Sequence, residues 1–191
     1  MCAAGLIGVA LCATAAINEL RSGVFDPPRA APDFALKGSD GSELKLSRYR
    51  GKVVALGFGY TNCPSVCPTT LAYLAQVRKK LGSAAADFQV VYVTVDPDRD
   101  NAASLKGFLA SFDPTFVGGT GTAQQLAEVR KAYGITVSDK IYVDKMPKSS
   151  YFLDHSSFVY LIDRQGALRA MAPFGVSVDD IEHDVEVLLG H

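Results

Sequence analysis

Apolar and polar positions alternate along this chain with two different periods. Lys52 to Tyr60 (KVVALGFGY) is nearly all apolar and β-rich. Such a run predicts a central strand buried on both faces. Phe88 to Val95 (FQVVYVTV) repeats the pattern and predicts a second buried strand. Between them, Leu71, Leu74, Val77 and Leu81 recur at helical spacing within Thr69 to Leu81, and Gly82 stops that helix. Asn101 to Ser111 and Ala123 to Tyr133 predict two more helices, the second closed by Gly134, with a short strand at Phe116-Val117 between them.

Phe158 to Ile162 and Leu168 to Ala172 alternate around Asp163-Arg164-Gln165-Gly166, which predicts a hairpin. Ser177 to Leu189 predicts a final helix: Ser177 caps it, acids fill its first turn, and Ile181, Val185, Leu188 and Leu189 form its apolar stripe. Earlier, Phe34-Ala35-Leu36 and Leu44-Lys45-Leu46 flank Gly38-Ser39-Asp40-Gly41, a small N-terminal hairpin. Residues 138–152 are polar and irregular and read as an insertion loop before the last hairpin. The order is hairpin, then β-α-β-α, then α-β-β-α. This is an α/β protein with a mixed central sheet flanked by helices on both faces. In such sheets functional residues gather at the carboxyl ends of strands.

Two N-terminal stretches break the pattern. Cys2 to Ile17 carries no charge and runs 16 residues, where a membrane span wants about 20. A membrane anchor is the leading reading. A cleaved signal segment, with Ala13-Thr14-Ala15 as its processing site, and a buried helix stay open, and no Lys or Arg precedes the stretch. Cys2 and Cys12 read as small apolar residues, and Leu11 argues against lipid attachment at Cys12. Residues 18–32 hold charges, Gly23 and three prolines, so they read as a linker. The folded domain is then expected over 33–191.

Charge narrows the function. With 19 basic and 20 acidic residues there is no basic field to hold nucleic acid. Cys63 and Cys67 are the only cysteines of the folded part, so this is no disulfide scaffold.

That pair lies in Gly59 to Pro68 (GYTNCPSVCP), directly after the first buried strand. Pro64 and Pro68 push the cysteines before them toward extended geometry, and Pro68 suits the first position of a helix. Cys67 is therefore expected at or just before a helix start, with Cys63 one turn outside. Unpaired backbone N–H groups and the helix dipole favour thiolate there. One turn brings two Cα atoms within the roughly 4.4–6.8 Å that a disulfide needs, and it equally lets two sulfurs grip one metal ion. Spacing leaves both open. A third ligand has three candidates. His183 lies off the apolar stripe beside Glu182 and Asp184, and His191 ends the chain. His155 precedes the Phe158 strand and follows the insertion, which could fold over the cysteines. Taken bare, a loop histidine is more often a surface residue than a ligand.

GYTNCPSVCP after one buried strand, VDPDRD (Val95 to Asp100) after the next, and DHSSFVYLIDRQG (Asp154 to Gly166) together resemble the Sco/SenC family. The resemblance runs from about Asp33 to the C-terminus. It implies a thioredoxin-like fold with an N-terminal membrane anchor. The domain would face the periplasm of a bacterial inner membrane, or the mitochondrial intermembrane space. It implies copper held by Cys63, Cys67 and His155 and delivered to the dinuclear copper centre of cytochrome c oxidase. The implied partners are the oxidase's copper-centre subunit, a copper donor protein and a thiol reductant. Two thiolates and one imidazole suit soft, three-coordinate Cu(I), with Cu(II) as a second state, whereas zinc would keep an open fourth position.

The alternative is a thiol–disulfide oxidoreductase that reduces the cysteines of the oxidase copper site, with Cys63 and Cys67 as its redox pair. Against it, C-x-x-x-C is not the C-x-x-C redox spacing, and exchange does not need His155. A peroxide-reducing enzyme with Cys63 attacking, and a redox or copper sensor, are further alternatives. The family often has Asp between its cysteines where this chain has Ser65, and losing a negative charge there should ease thiolate formation. Asp154 is a candidate to orient His155, against a plain turn role. Asp96 and Asp98 stand between turn chemistry and a place facing the site. Met146 offers a thioether, and Tyr60 and Tyr151 are expected in the core or along the site.

Overall fold

The two apolar runs form the centre of one eight-stranded sheet in the computed structural model, which describes residues 20–145, 147 and 150–190. The leader over 1–17, Met146 and His191 lie outside the described residues. The strands of the sheet are β1 (Gly23–Ala30), β2 (Ala35–Gly38), β3 (Glu43–Lys45), β4 (Val53–Gly59), β5 (Phe88–Thr94), β6 (Val117–Thr120), β9 (Phe158–Ile162) and β10 (Ala167–Pro173). Two short strands, β7 (Ile141–Tyr142) and β8 (Tyr151–Phe152), pair separately. The spatial order is β1-β10-β9-β4-β5-β6-β2-β3. The β4–β5 and β5–β6 pairs are parallel and the others antiparallel.

Every residue of β4 and β5 is buried, as continuous apolar runs require. The helices are α1 (Val66–Lys80), α2 (Ala102–Ala110), α3 (Ala123–Tyr133) and α4 (Val178–Leu189). The path β4-α1-β5-α2-β6 winds in one direction, so right-handed crossovers put α1 and α2 on the same face. Contacts agree: the Gly59 backbone faces Cys67 of α1, and Gly118 faces Leu105 and Leu109 of α2. α4 packs along α1. The opposite face carries α3, where Tyr133 meets Phe58 at 5.6 Å between ring centres. Among the described residues no helix is long and apolar enough to cross a membrane.

The helix starts follow local chemistry. Asn101 and Thr122 open α2 and α3 with reciprocal capping boxes, and Ser177 caps α4. α1 begins earlier than the pattern predicts, at Val66, so Pro68 is its third residue and not its first. The first four N–H groups of a helix lack intrahelical partners, so the proline still removes no bond.

The expected linker over 18–32 is a correction. Gly23–Ala30 forms β1, which pairs antiparallel with β10 on either side of a register break between Val24 and Arg29. Pro27 and Pro28 fall within that break, at the sheet edge where a missing N–H leaves no ladder bond unmade. β1 is almost wholly exposed, so it carries no apolar pattern. The chain just before it is also anchored: the buried carboxylate of Asp184 accepts the backbone N–H groups of Arg21 (2.6 Å) and Ser22 (2.9 Å). The ordered fold thus extends well before Asp33. The insertion over 138–152 is likewise not wholly irregular, since Ile141 pairs with Phe152 and Tyr142 with Tyr151.

Candidate metal centre

The cysteine turn begins where β4 ends, and Asp100 fixes it. The Thr61 N–H donates to Asp100 Oδ2 at 3.0 Å and the Thr61 hydroxyl to Oδ1 at 2.5 Å. The Thr94 hydroxyl, at the end of β5, donates to Oδ2 at 2.6 Å. Asp100 is buried, so this last residue of VDPDRD ties the turn to the neighbouring strand.

Cys63 is half-buried just outside α1, and Cys67 is buried in the helix's first turn. Both thiols are free, and the Cys67 backbone N–H points at Cys63 Sγ from 3.5 Å. The sulfurs also interact directly. The Cys67 thiol donates to Cys63, and the N–H groups of Cys67 and Ser65 add to this, lowering the Cys63 thiol to about 5 against opposing desolvation. The same sulfur–sulfur bond, together with burial, pushes the Cys67 thiol far above its ordinary range. This arrangement favours the thiolate on half-buried Cys63 and the proton on buried Cys67.

His155 arrives from the far end of the chain. Its segment bridges Val137, with the Ser138 N–H donating to Asp154 O (2.8 Å) and the Ser156 N–H to Thr136 O (3.0 Å). The imidazole Nδ1 lies 2.9 Å from the Ser156 carbonyl, which accepts its proton and leaves the Nε2 lone pair free. That Nε2 is 3.5 Å from Cys67 Sγ. Tyr60 packs edge-on against the ring at 6.0 Å. Orientation of the imidazole by Asp154 is not what the structure has: Asp154 is exposed, and the Ser156 carbonyl does that work.

The histidine segment is held by the rest of VDPDRD. Arg99 Nε donates to Asp96 Oδ2 (2.5 Å), and an Arg99 terminal nitrogen donates to the Tyr151 carbonyl (2.9 Å). The guanidinium lies 3.6 Å over the Tyr151 ring, and the Tyr151 hydroxyl returns to Asp96 Oδ1 at 2.7 Å. Exposed Asp98 pairs with Lys140 at 2.7 Å, and that ammonium sits 4.7 Å over the same ring. The Leu153 N–H donates to the Tyr60 hydroxyl at 3.2 Å. Asp100 thus holds the cysteine turn while Asp96, Asp98 and Arg99 hold the histidine segment. Sequence reasoning left Asp96 and Asp98 undecided and missed Arg99 and Asp100. The available signal was that VDPDRD ends the strand beside the cysteine strand.

The SCO1/SenC family model matches residues 25–190. The chain belongs to this family. It is 35% identical over 141 residues to an SCO2-like protein of Rickettsia conorii, covering 74% of this chain and 68% of that protein. It is 34% identical over 149 residues to the mitochondrial SCO1 protein of Saccharomyces cerevisiae, covering 78% of this chain and 50% of that longer protein. Bradyrhizobium japonicum ScoI, solved with copper bound, superposes with a TM-score of 0.73 at 29% identity, over 82% of this chain and 98% of that one. The mixed sheet and flanking helices are the thioredoxin-like arrangement of Sco structures.

In this Sco-family chain Cys63 and His155 line a cleft of about 590 Å³ together with Tyr60, Ile141, Phe152 and Leu153. Cys67 lies beneath them, 2% exposed. The three donors meet in pairs, Cys63 with Cys67 and Cys67 with His155. Among the described residues, no group of three or more His, Cys, Asp or Glu side chains is placed to hold a metal ion as it stands. His183 is on α4, partly buried.

Proposed function

We propose that this protein binds copper through Cys63, Cys67 and His155 and delivers it to the dinuclear copper centre of cytochrome c oxidase. The observation that carries the proposal is Cys67 Sγ at 3.5 Å from a His155 Nε2 whose lone pair is free, with the Cys63 thiolate alongside. Two sulfurs and one imidazole are a soft set that suits Cu(I), with Cu(II) as a second state. A small adjustment of Cys63, on the open side of the cleft, brings the third donor in. Loading releases the proton that Cys67 holds. The similar ScoI of Bradyrhizobium japonicum carries copper, which supports the metal. The oxidase as recipient rests on family resemblance.

Cys63 and His155 face the cleft and Cys67 does not, so a recipient's ligands reach the metal from one side and displace these two first. The apolar segment over 1–17 acts as a membrane anchor and keeps the domain on the periplasmic face, or in the intermembrane space. A copper donor protein and a thiol reductant complete the cycle, because only the reduced pair can load Cu(I). X-ray absorption of the full chain loaded with one equivalent of Cu(I) tests the site. Two sulfur neighbours and one nitrogen are expected. A copper shell with one sulfur, or with no nitrogen, contradicts the ligand set.

The unequal ionisation of the two thiols favours one second reading, reduction of the oxidase cysteines. Cys63 thiolate would attack a target disulfide and release one target thiolate. Cys67 would then give up its proton and displace the second, leaving a Cys63–Cys67 disulfide and a reduced target. Metal-free turnover with a dithiol reductant that outpaces copper transfer would favour it.

A further inference from the structure

Tyr92 lies on β5, opposite Gly57 in the β4 register. Glycine at 57 and again at 59 leaves that face of β4 bare beneath α1. The Tyr92 ring fills the gap: a Cβ at Gly57 would meet the ring at 3.3 Å. A Cβ at Gly59 would overlap the Tyr92 hydroxyl at 1.9 Å and Cys67 Sγ at 2.6 Å. Hydroxyl and sulfur therefore share the space that any side chain at 59 would occupy.

Tyr92 is 2% exposed, and its hydroxyl meets no partner at full hydrogen-bond geometry. Buried hydroxyls without partners are rare enough to demand a reason. Cys67 Sγ is its neighbour there, since hydroxyl and sulfur lie 1.9 and 2.6 Å from the same point. A disulfide sulfur is a poor acceptor, a thiol sharing its proton a modest one, and a thiolate or metal-bound sulfur a strong one. The hydroxyl is thus least satisfied by the oxidised pair and most satisfied by the metal-bound pair.

We propose that Tyr92 is a positioning residue for the cysteine pair, donating a hydrogen bond to Cys67 Sγ that favours the reduced and metal-bound states over the disulfide. The metal-bound half of this rests on the copper reading, and the redox half stands without it.

The test compares the full wild-type chain with Tyr92→Phe, which removes only the hydroxyl. In metal-free protein, two glutathione thiols reduce the Cys63–Cys67 disulfide to two thiols and form glutathione disulfide, a two-electron, two-proton exchange. The equilibrium constant for that reduction is expected to fall about fivefold in Tyr92→Phe, one ordinary hydrogen bond's worth, or about 20 mV. Cu(I) affinity by competition titration is expected to fall further, by about 10-fold or more. The melting temperature of the oxidised variant should match or exceed wild type, since the hydroxyl has no good partner in that state. An unchanged glutathione equilibrium, or a lowered melting temperature of the oxidised form alone, overturns the proposal. A wild-type chain that binds no Cu(I) would contradict the copper reading, while the metal-free equilibrium would still decide the role of Tyr92. Should the variant not fold, the wild-type Tyr92 hydroxyl proton decides. Slow exchange when the pair is reduced and fast exchange when it is oxidised supports the bond; no difference refutes it.

Discussion

Cys67 Sγ lies 3.5 Å from Nε2 of His155, although 88 residues separate them in the chain. Neither residue reaches that point by its own element alone. Cys67 is set by the first turn of α1, whose entry Asp100 fixes through Thr61. His155 is set by a bridge to Val137 and by the Asp96–Arg99–Tyr151 cluster next to it. One motif, VDPDRD, supplies both clamps from the end of β5, so its parts should fail in different ways.

Asp100→Ala strands the Thr61 N–H and the Thr61 and Thr94 hydroxyls at a buried position. The expected loss is about 2–4 kcal/mol of global stability. Denaturant unfolding of the metal-free protein measures it. A change below about 0.5 kcal/mol, the ordinary range for surface substitutions, would show that Asp100 does not fix the turn.

Arg99→Lys keeps a charge near Asp96 but loses the planar guanidinium that stacks on Tyr151 and also donates to its carbonyl. Its effect should be local. The Leu153 amide, which donates to the Tyr60 hydroxyl, should exchange with deuterium about 10-fold faster while the amides of β4 and β5 change little. Equal acceleration at Leu153 and in the central strands would remove the special link between Arg99 and the histidine segment.

The Cys63 thiol is lowered to about 5, first by the Cys67 thiol that donates to it. The sign follows directly: Cys63 is mostly thiolate at pH 7, and its alkylation should slow only as pH falls through about 5. Cys67→Ala removes the donor, so the alkylation midpoint should rise toward the ordinary thiol value near 8.5. Ser65→Asp should also raise it, because a carboxylate beside the thiolate disfavours the charge. Iodoacetamide rates across pH check all three chains, and a midpoint that ignores both substitutions contradicts the assignment.

Much of this was legible in the residues because the pattern there is dense. KVVALGFGY and FQVVYVTV are nearly all apolar, and they became the buried centre of the sheet. Thr122 and Ser177 advertise helix starts through their own hydroxyls. β1 was hidden because an exposed edge strand holding Pro27 and Pro28 needs neither apolar alternation nor a full ladder. Cys63, Cys67 and His155 stood out as residue types, but their convergence came from family resemblance, since periodicity says nothing about contacts across 88 residues. Arg99, Asp100 and Tyr92 were invisible as site residues for the same reason. Arg99 reads as a turn residue and Tyr92 as one more aromatic in a buried strand, until the fold sets them beside the histidine segment and the cysteine sulfur.

The central claim is that His155 completes a ligand set begun by Cys63 and Cys67. Competition titration of Cu(I) into the reduced full chain, wild type against His155→Ala, tests it most directly. The account predicts one copper bound by the wild type and an affinity loss in the variant beyond the roughly 10- to 100-fold that outer hydrogen-bonding partners cost. An affinity in His155→Ala within about threefold of wild type would contradict it, because removing even an outer partner costs more than that.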